Sequence, residues 1–130
     1  MTLQEHIDYW LEGAEHDLDA AESLFAAGKY DWCLFIGYLV LEKALKAVYV
    51  RDNQNRVPPK THALLKLVEK TSLKLDDEQK LYLDEVSDFN LEARYPEYKR
   101  EFYKRCTKEF SEKHFARIKE YYSWIKSQIE

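Results

Sequence analysis

Leu3, Ile7, Trp10, Leu11, Ala14, Leu18, Ala21, Leu24 and Phe25 recur at helical spacing, with Glu5, Asp8, Glu12, Glu15, Asp19 and Glu22 between them. This pattern predicts a first helix with one buried face and one acidic, solvated face. Thr2 and Glu5 form a T-x-x-E capping box at its start, and Gly28 marks its end. A second helix begins near Asp31. The stretch WCLFIGYLVL, residues 32–41, is apolar on nearly all sides and predicts the central, most buried element. The helix turns amphipathic in LEKALKAVYV, where Glu42 and Lys46 stand four apart and Lys43 and Lys46 share a neighbouring strip. The two ammonium groups can meet a phosphate, or they are the wet side of a core helix.

Residues 51–62, RDNQNRVPPKTH, are polar, carry two of the chain's three prolines and predict the one real loop. Thr61 is the expected N-cap of a third helix, HALLKLVEKT. Asp76 and Gln79 can cap a fourth, with Leu81, Tyr82, Val86, Phe89 and Ala93 turned inward. Pro96 disfavours helical geometry at Tyr95, so this helix should stop there. An aromatic and basic bridge, EYKREFYKRC, partly helical, leads to Thr107, the expected cap of a last helix with the stripe Phe115, Ile118, Tyr122, Ile125 and Ile129. With three glycines and no hairpin chemistry, the chain reads as all-α: an up-and-down bundle of about five helices in a single domain spanning residues 1–130.

Length and composition narrow the functional classes. A chain of 130 residues, 45% hydrophobic, can build one core without a metal or disulfide. The net charge of −4 disfavours sequence-independent binding to RNA or DNA. Cys33 and Cys106 lack metal-ligand spacing and read as two reduced thiols, which places the protein in the cytoplasm. The longest apolar run is too short to span a bilayer. Phosphate-loop, dinucleotide and zinc-protease motifs are absent, and neither a metal nor a cofactor is expected.

The histidines differ in setting. His6 and His16 lie ten apart on the first helix and share no tight metal-binding face. His114, among Glu112, Lys113 and Arg117, is expected at the surface. His62 follows PPK at a helix start, where free backbone N–H groups favour an anion, with Lys60 two residues away; it is either a local hydrogen-bonding residue or part of a site.

Three segments in order, DWCLFIGYLVLEKALKAVYV, PPKTHALLKLVEK and NLEARYPEY, resemble the HEPN domain (higher eukaryotes and prokaryotes nucleotide-binding) through the combination of E-K-A-L-K, T-H-x-L-x-x-L and A-R-Y-P. The resemblance covers nearly the whole chain. It implies a helical bundle that forms a homodimer and, in short stand-alone members, binds nucleotide or another anionic ligand beside a minimal nucleotidyltransferase partner, in a toxin–antitoxin-like pair. Other members are metal-independent endoribonucleases with an R-x(4 to 6)-H motif. This chain departs from that motif: His114 follows Arg105 by eight intervening residues, and the one formal match, Arg56 to His62, straddles the Pro58-Pro59 loop. Whether the chain is an enzyme is left open, and catalytic residues are unassigned.

The candidate ligand-binding residues are Arg94, Tyr95, His62, Lys60, Lys43 and Lys46. Arg94 is expected either to aim its fork of donors at an anion, with Tyr95 as an aromatic wall, or to pair with an acidic neighbour such as Glu42 and pin the corner to the core.

Overall fold

A computed structural model describes all residues, 1–130, and contains six helices with no strand. The first, α1 (Leu3–Ala26), starts with the expected capping box: Glu5 N–H donates to Thr2 Oγ1 at 3.1 Å, and Thr2 N–H donates to Glu5 Oε1 at 2.9 Å. It stops because Gly28 adopts φ +75°, a left-handed conformation that costs glycine little, and Lys29 N–H closes back onto Leu24 C=O at 2.8 Å.

Helix α2 (Tyr30–Asp52) is the axis of the bundle. Fourteen of its 23 residues are buried, so apolar side chains point in every direction along it. It packs most extensively on α1, then on α6 (Lys108–Ile129), and also on the short α3 (Leu64–Val68), α4 (Asp77–Glu92) and α5 (Pro96–Arg105). Gly37 marks its close approach to α6: a Cβ there would lie 3.1 Å from Ile118 Cδ1, tighter than ordinary side-chain contact. Tyr38, Leu34, Leu41 and Leu45 of α2 share the core with Phe89, Phe102, Ile118 and Ile125.

The third helix is shorter than HALLKLVEKT predicts, and Thr61 is not its cap. Thr61 Oγ1 accepts from Ala63 N–H at 3.2 Å, which shapes the turn before the helix. The first helical N–H, that of Leu64, donates instead to Ser87 Oγ of α4 at 3.0 Å. At the other end Thr71 Oγ1 donates to Val68 C=O at 2.8 Å, giving that carbonyl a partner where the helix stops.

Asp76 and Gln79 do cap α4 reciprocally, at 2.8 and 2.9 Å. Its buried face is Tyr82, Leu83, Val86, Phe89, Asn90 and Ala93, and the expectation for Leu81 is corrected: it is 75% exposed. One position is about 100° around a helix, enough to carry Leu81 off the stripe set by its neighbours. Helix α4 ends at Glu92, three residues before the predicted stop at Tyr95, and Pro96 begins α5 at the first helical position, with Tyr95 extended (φ −81°, ψ 131°) between the two. Thr107 caps α6, accepting from Phe110 N–H at 3.2 Å.

His114 is also corrected. It is buried, stacked 5.8 Å from Tyr82 and edge-on to Phe89, with Tyr82 Oη 3.0 Å from its Nδ1. The aromatic contacts and the single phenol partner let an imidazole occupy a core position that its charged sequence neighbours concealed. No helix is long and apolar enough to cross a membrane.

Candidate functional site

Four residues before Arg94 on α4 stands Asn90, which is buried. Arg94 Nε donates to the Asn90 carbonyl at 3.0 Å and Arg94 Nη2 to Asn90 Oδ1 at 2.9 Å. The guanidinium carbon lies 5.5 Å from the ring centre of Phe35 on α2 and 5.7 Å from that of Tyr95. Two hydrogen bonds and two aromatic faces thus fix the orientation of an exposed cation, and no carboxylate neutralises it. The alternative partner, Glu42, is occupied elsewhere.

Glu42 is buried on α2 and gathers a second group of residues. Tyr38 Oη lies 2.6 Å from Glu42 Oε1 and 2.7 Å from the His62 carbonyl. Its single proton is shared between two acceptors. Burial, reinforced by the Glu42 carboxylate, pushes the Tyr38 phenol far above its usual range, so it remains a donor; the Arg94 charge opposes this. His62 Nδ1 is 2.9 Å from Glu42 Oε1, while the rest of the imidazole side chain is exposed. Lys46 Nζ is 3.4 Å from Glu42 Oε2 and 5.0 Å from the Trp10 ring centre.

The six candidate residues are therefore not equivalent. Arg94 and Tyr95 form one flank of a corner where α2, the loop before α3 and the α4–α5 turn meet. His62 and Lys46 are joined on Glu42, and Lys60 is exposed two residues from His62. Lys43 is committed to α1: its ammonium lies 2.7 Å from Asp17 Oδ2, and its stem packs over Gly13. Tyr38, Asn90 and Phe35 were missed in the sequence. Tyr38 and Asn90 each precede a candidate residue or its partner by four positions, a spacing that could have flagged them; Phe35 had no such signal.

The corner is an open surface. Two grooves lie along α4 instead, one of about 450 Å³ lined by Glu78, Asp84, Glu85 and Arg117 among others, another of about 470 Å³ by Glu85, Asp88, Glu92 and Arg105 among others. Half of the residues lining each are carboxylates, against a single arginine, which suits an anionic ligand poorly, so the chemistry favours the corner. No group of three His, Cys, Asp or Glu side chains is disposed to hold a metal ion.

The profile of the HEPN domain matches residues 7–128, nearly the whole chain. The chain belongs to the HEPN domain family. Its fold is similar to that in the crystal structure of TT1696 from Thermus thermophilus, with a TM-score of 0.79 at 19% identity, covering 94% of this chain and 97% of that one. No curated protein matches the sequence.

Proposed function

We propose that this HEPN domain protein is a homodimeric cytoplasmic binding module that takes a nucleotide or other anionic ligand at the Arg94 corner and works beside a minimal nucleotidyltransferase. The observation that carries the ligand site is the exposed Arg94 fork, pre-oriented by Asn90 and free of any carboxylate. Holding such a charge in place before the ligand arrives removes ordering cost from binding. Tyr95 offers a face for a base, and Lys60 and His62 a cationic edge. Lys43 and Lys46 join only by leaving Asp17 and Glu42. Dimerisation is supported by the aromatic strip around the corner: Tyr95, Tyr98 and Trp32 all keep much of their surface exposed in the single chain. A second copy set against this strip would wall the open corner.

One observation favours cleavage as a second reading. A carboxylate holding one nitrogen of an exposed histidine is the arrangement that orients a general base, and Arg94 could stabilise charge on a phosphate. The same preparation tests both readings. Titration with a nucleotide panel, RNA degradation and light scattering are run on wild type and Arg94→Ala. Saturable nucleotide binding lost in the variant, on a protein of dimer mass, is expected; RNA cleavage abolished by His62→Gln supports the enzyme. Nucleotide binding unchanged by Arg94→Ala overturns the site, and a monomer mass at micromolar concentration overturns the dimer.

A further inference from the structure

At the start of α2, roughly 16 Å along the helix axis from Glu42 at 1.5 Å per residue, lies a second place where a charge is held ready. Asp31 is 7% exposed, yet its carboxylate takes part in none of the molecule's side-chain hydrogen bonds or ion pairs. Its oxygens still touch solvent, so a ligand can reach them, but the burial of the rest of the side chain leaves them short of water to satisfy them. It lines a depression of about 300 Å³ together with Gly28, Tyr30, Tyr103, Lys104 and Cys106.

The walls suit a cation. The last residues of α5, Tyr103 to Arg105, bring the negative end of that helix to the depression, and the turn at Gly28 brings the end of α1; together with the Asp31 carboxylate they are set against the positive start of α2. Tyr103 is 66% exposed and Tyr30 half-buried, so two aromatic faces are available on the rim. The one cation on the rim, Lys104, has the Glu101 carboxylate 3.8 Å from its ammonium. Asp31 stands in the first turn of α2, yet none of the backbone N–H groups there hydrogen-bonds its carboxylate. The Cys106 thiol is pushed up to about 12, first by burial and next by the Asp31 charge, so it is no competing nucleophile.

We infer that the Asp31 depression is a binding site for a guanidinium group, seated in a bidentate pair on the carboxylate and stacked against Tyr103. A planar fork fills both carboxylate oxygens at once and lies flat on an aromatic ring, which a compact ammonium does not do as well. The volume leaves room for a few carbons of whatever carries the group, whether a free small molecule or an arginine of a peptide. The site is separate from the Arg94 corner and of opposite charge preference.

The test is an NMR titration of the full chain with methylguanidinium chloride, against sodium chloride at equal ionic strength. Saturable shifts at Asp31, Tyr30, Tyr103 and Cys106 are expected with methylguanidinium alone, weakened at least tenfold in Asp31→Asn and severalfold in Tyr103→Ala. The Tyr103 change, on an exposed side chain, keeps the test decisive should Asp31→Asn disturb the fold. Repeating the titration with arginine amide and with a Gly-Arg-Gly peptide assigns the source: tighter binding of the peptide points to a protein partner, tighter binding of the amide to a metabolite. Shifts that fail to saturate, that sodium chloride reproduces, or that survive both substitutions overturn the inference. Loss of nucleotide binding at Arg94 leaves this titration unaffected, so the two sites fail separately.

Discussion

Asn90 holds Arg94 by two hydrogen bonds to the same residue, one to its carbonyl at 3.0 Å and one to its side-chain oxygen at 2.9 Å, while the guanidinium remains in solvent. The guanidinium therefore gains direction without gaining a counter-ion. The bond to the Asn90 carbonyl also satisfies an end of α4, as a basic side chain near a helix C-terminus does.

Arg94→Ala should cost only about 1–2 kcal/mol of stability, because the buried Asn90 side-chain oxygen loses its partner. Nucleotide binding should weaken by roughly 2 kcal/mol, the scale of a lost charge-assisted hydrogen bond. Thermal melts beside calorimetric titration check this, and a loss of several kcal/mol of stability would return Arg94 to architecture alone.

Glu42→Ala should behave in the opposite way. It removes a buried acceptor from Tyr38, His62 and Lys46 together, and breaking a buried charge cluster costs about 3 kcal/mol even after allowing for the solvent that reaches His62. Urea denaturation measures the change; a loss below about 1 kcal/mol would mean that the three donors find water instead.

His114 gives the fold a pH dependence of defined sign. Burial lowers its pKa from the usual histidine value; Glu85, 3.9 Å away, opposes this, while Lys113, Arg117 and Arg105 add to it. Because the folded pKa is depressed, the unfolded chain binds the proton first on acidification. The stability this neutral imidazole contributes is thus fully present above about pH 6.5, the unfolded value, and is lost as pH falls through the folded one. His114→Asn should flatten that decline in denaturation curves taken between about pH 7 and 5; an unchanged slope would assign it to other groups.

Cys33 and Cys106 should resist thiol reagents in the native state. Burial pushes both thiols up to about 12, leaving almost no thiolate at neutral pH. Reaction with a disulfide reagent should label neither within minutes in buffer and both in guanidinium chloride. A thiol that reacts rapidly in buffer would show that its helix opens locally.

Much of the fold was legible because its signals are local. Caps at Thr2, Asp76 and Thr107, the stop at Gly28 and the break at Pro96 each depend on residues within one turn. What escaped the sequence depends on distant partners. Leu64 starts α3 because Ser87, on another helix, accepts its N–H. His114 is buried because Tyr82 and Phe89 receive it. At the candidate site, the residue types were readable, but their pairing was not: Lys43 and Lys46 look alike in sequence, and only packing sends one to Asp17 and the other to Glu42.

The contact of Gly37 with Ile118 bears on how the chain is made. The α1–α2 hairpin can close while synthesis continues, but the side of α2 that Gly37 opens stays uncovered until α6, far downstream, has left the ribosome. Until then the most apolar helix of the protein presents an unpaired surface to its surroundings, and such a surface makes a partly made chain prone to aggregate.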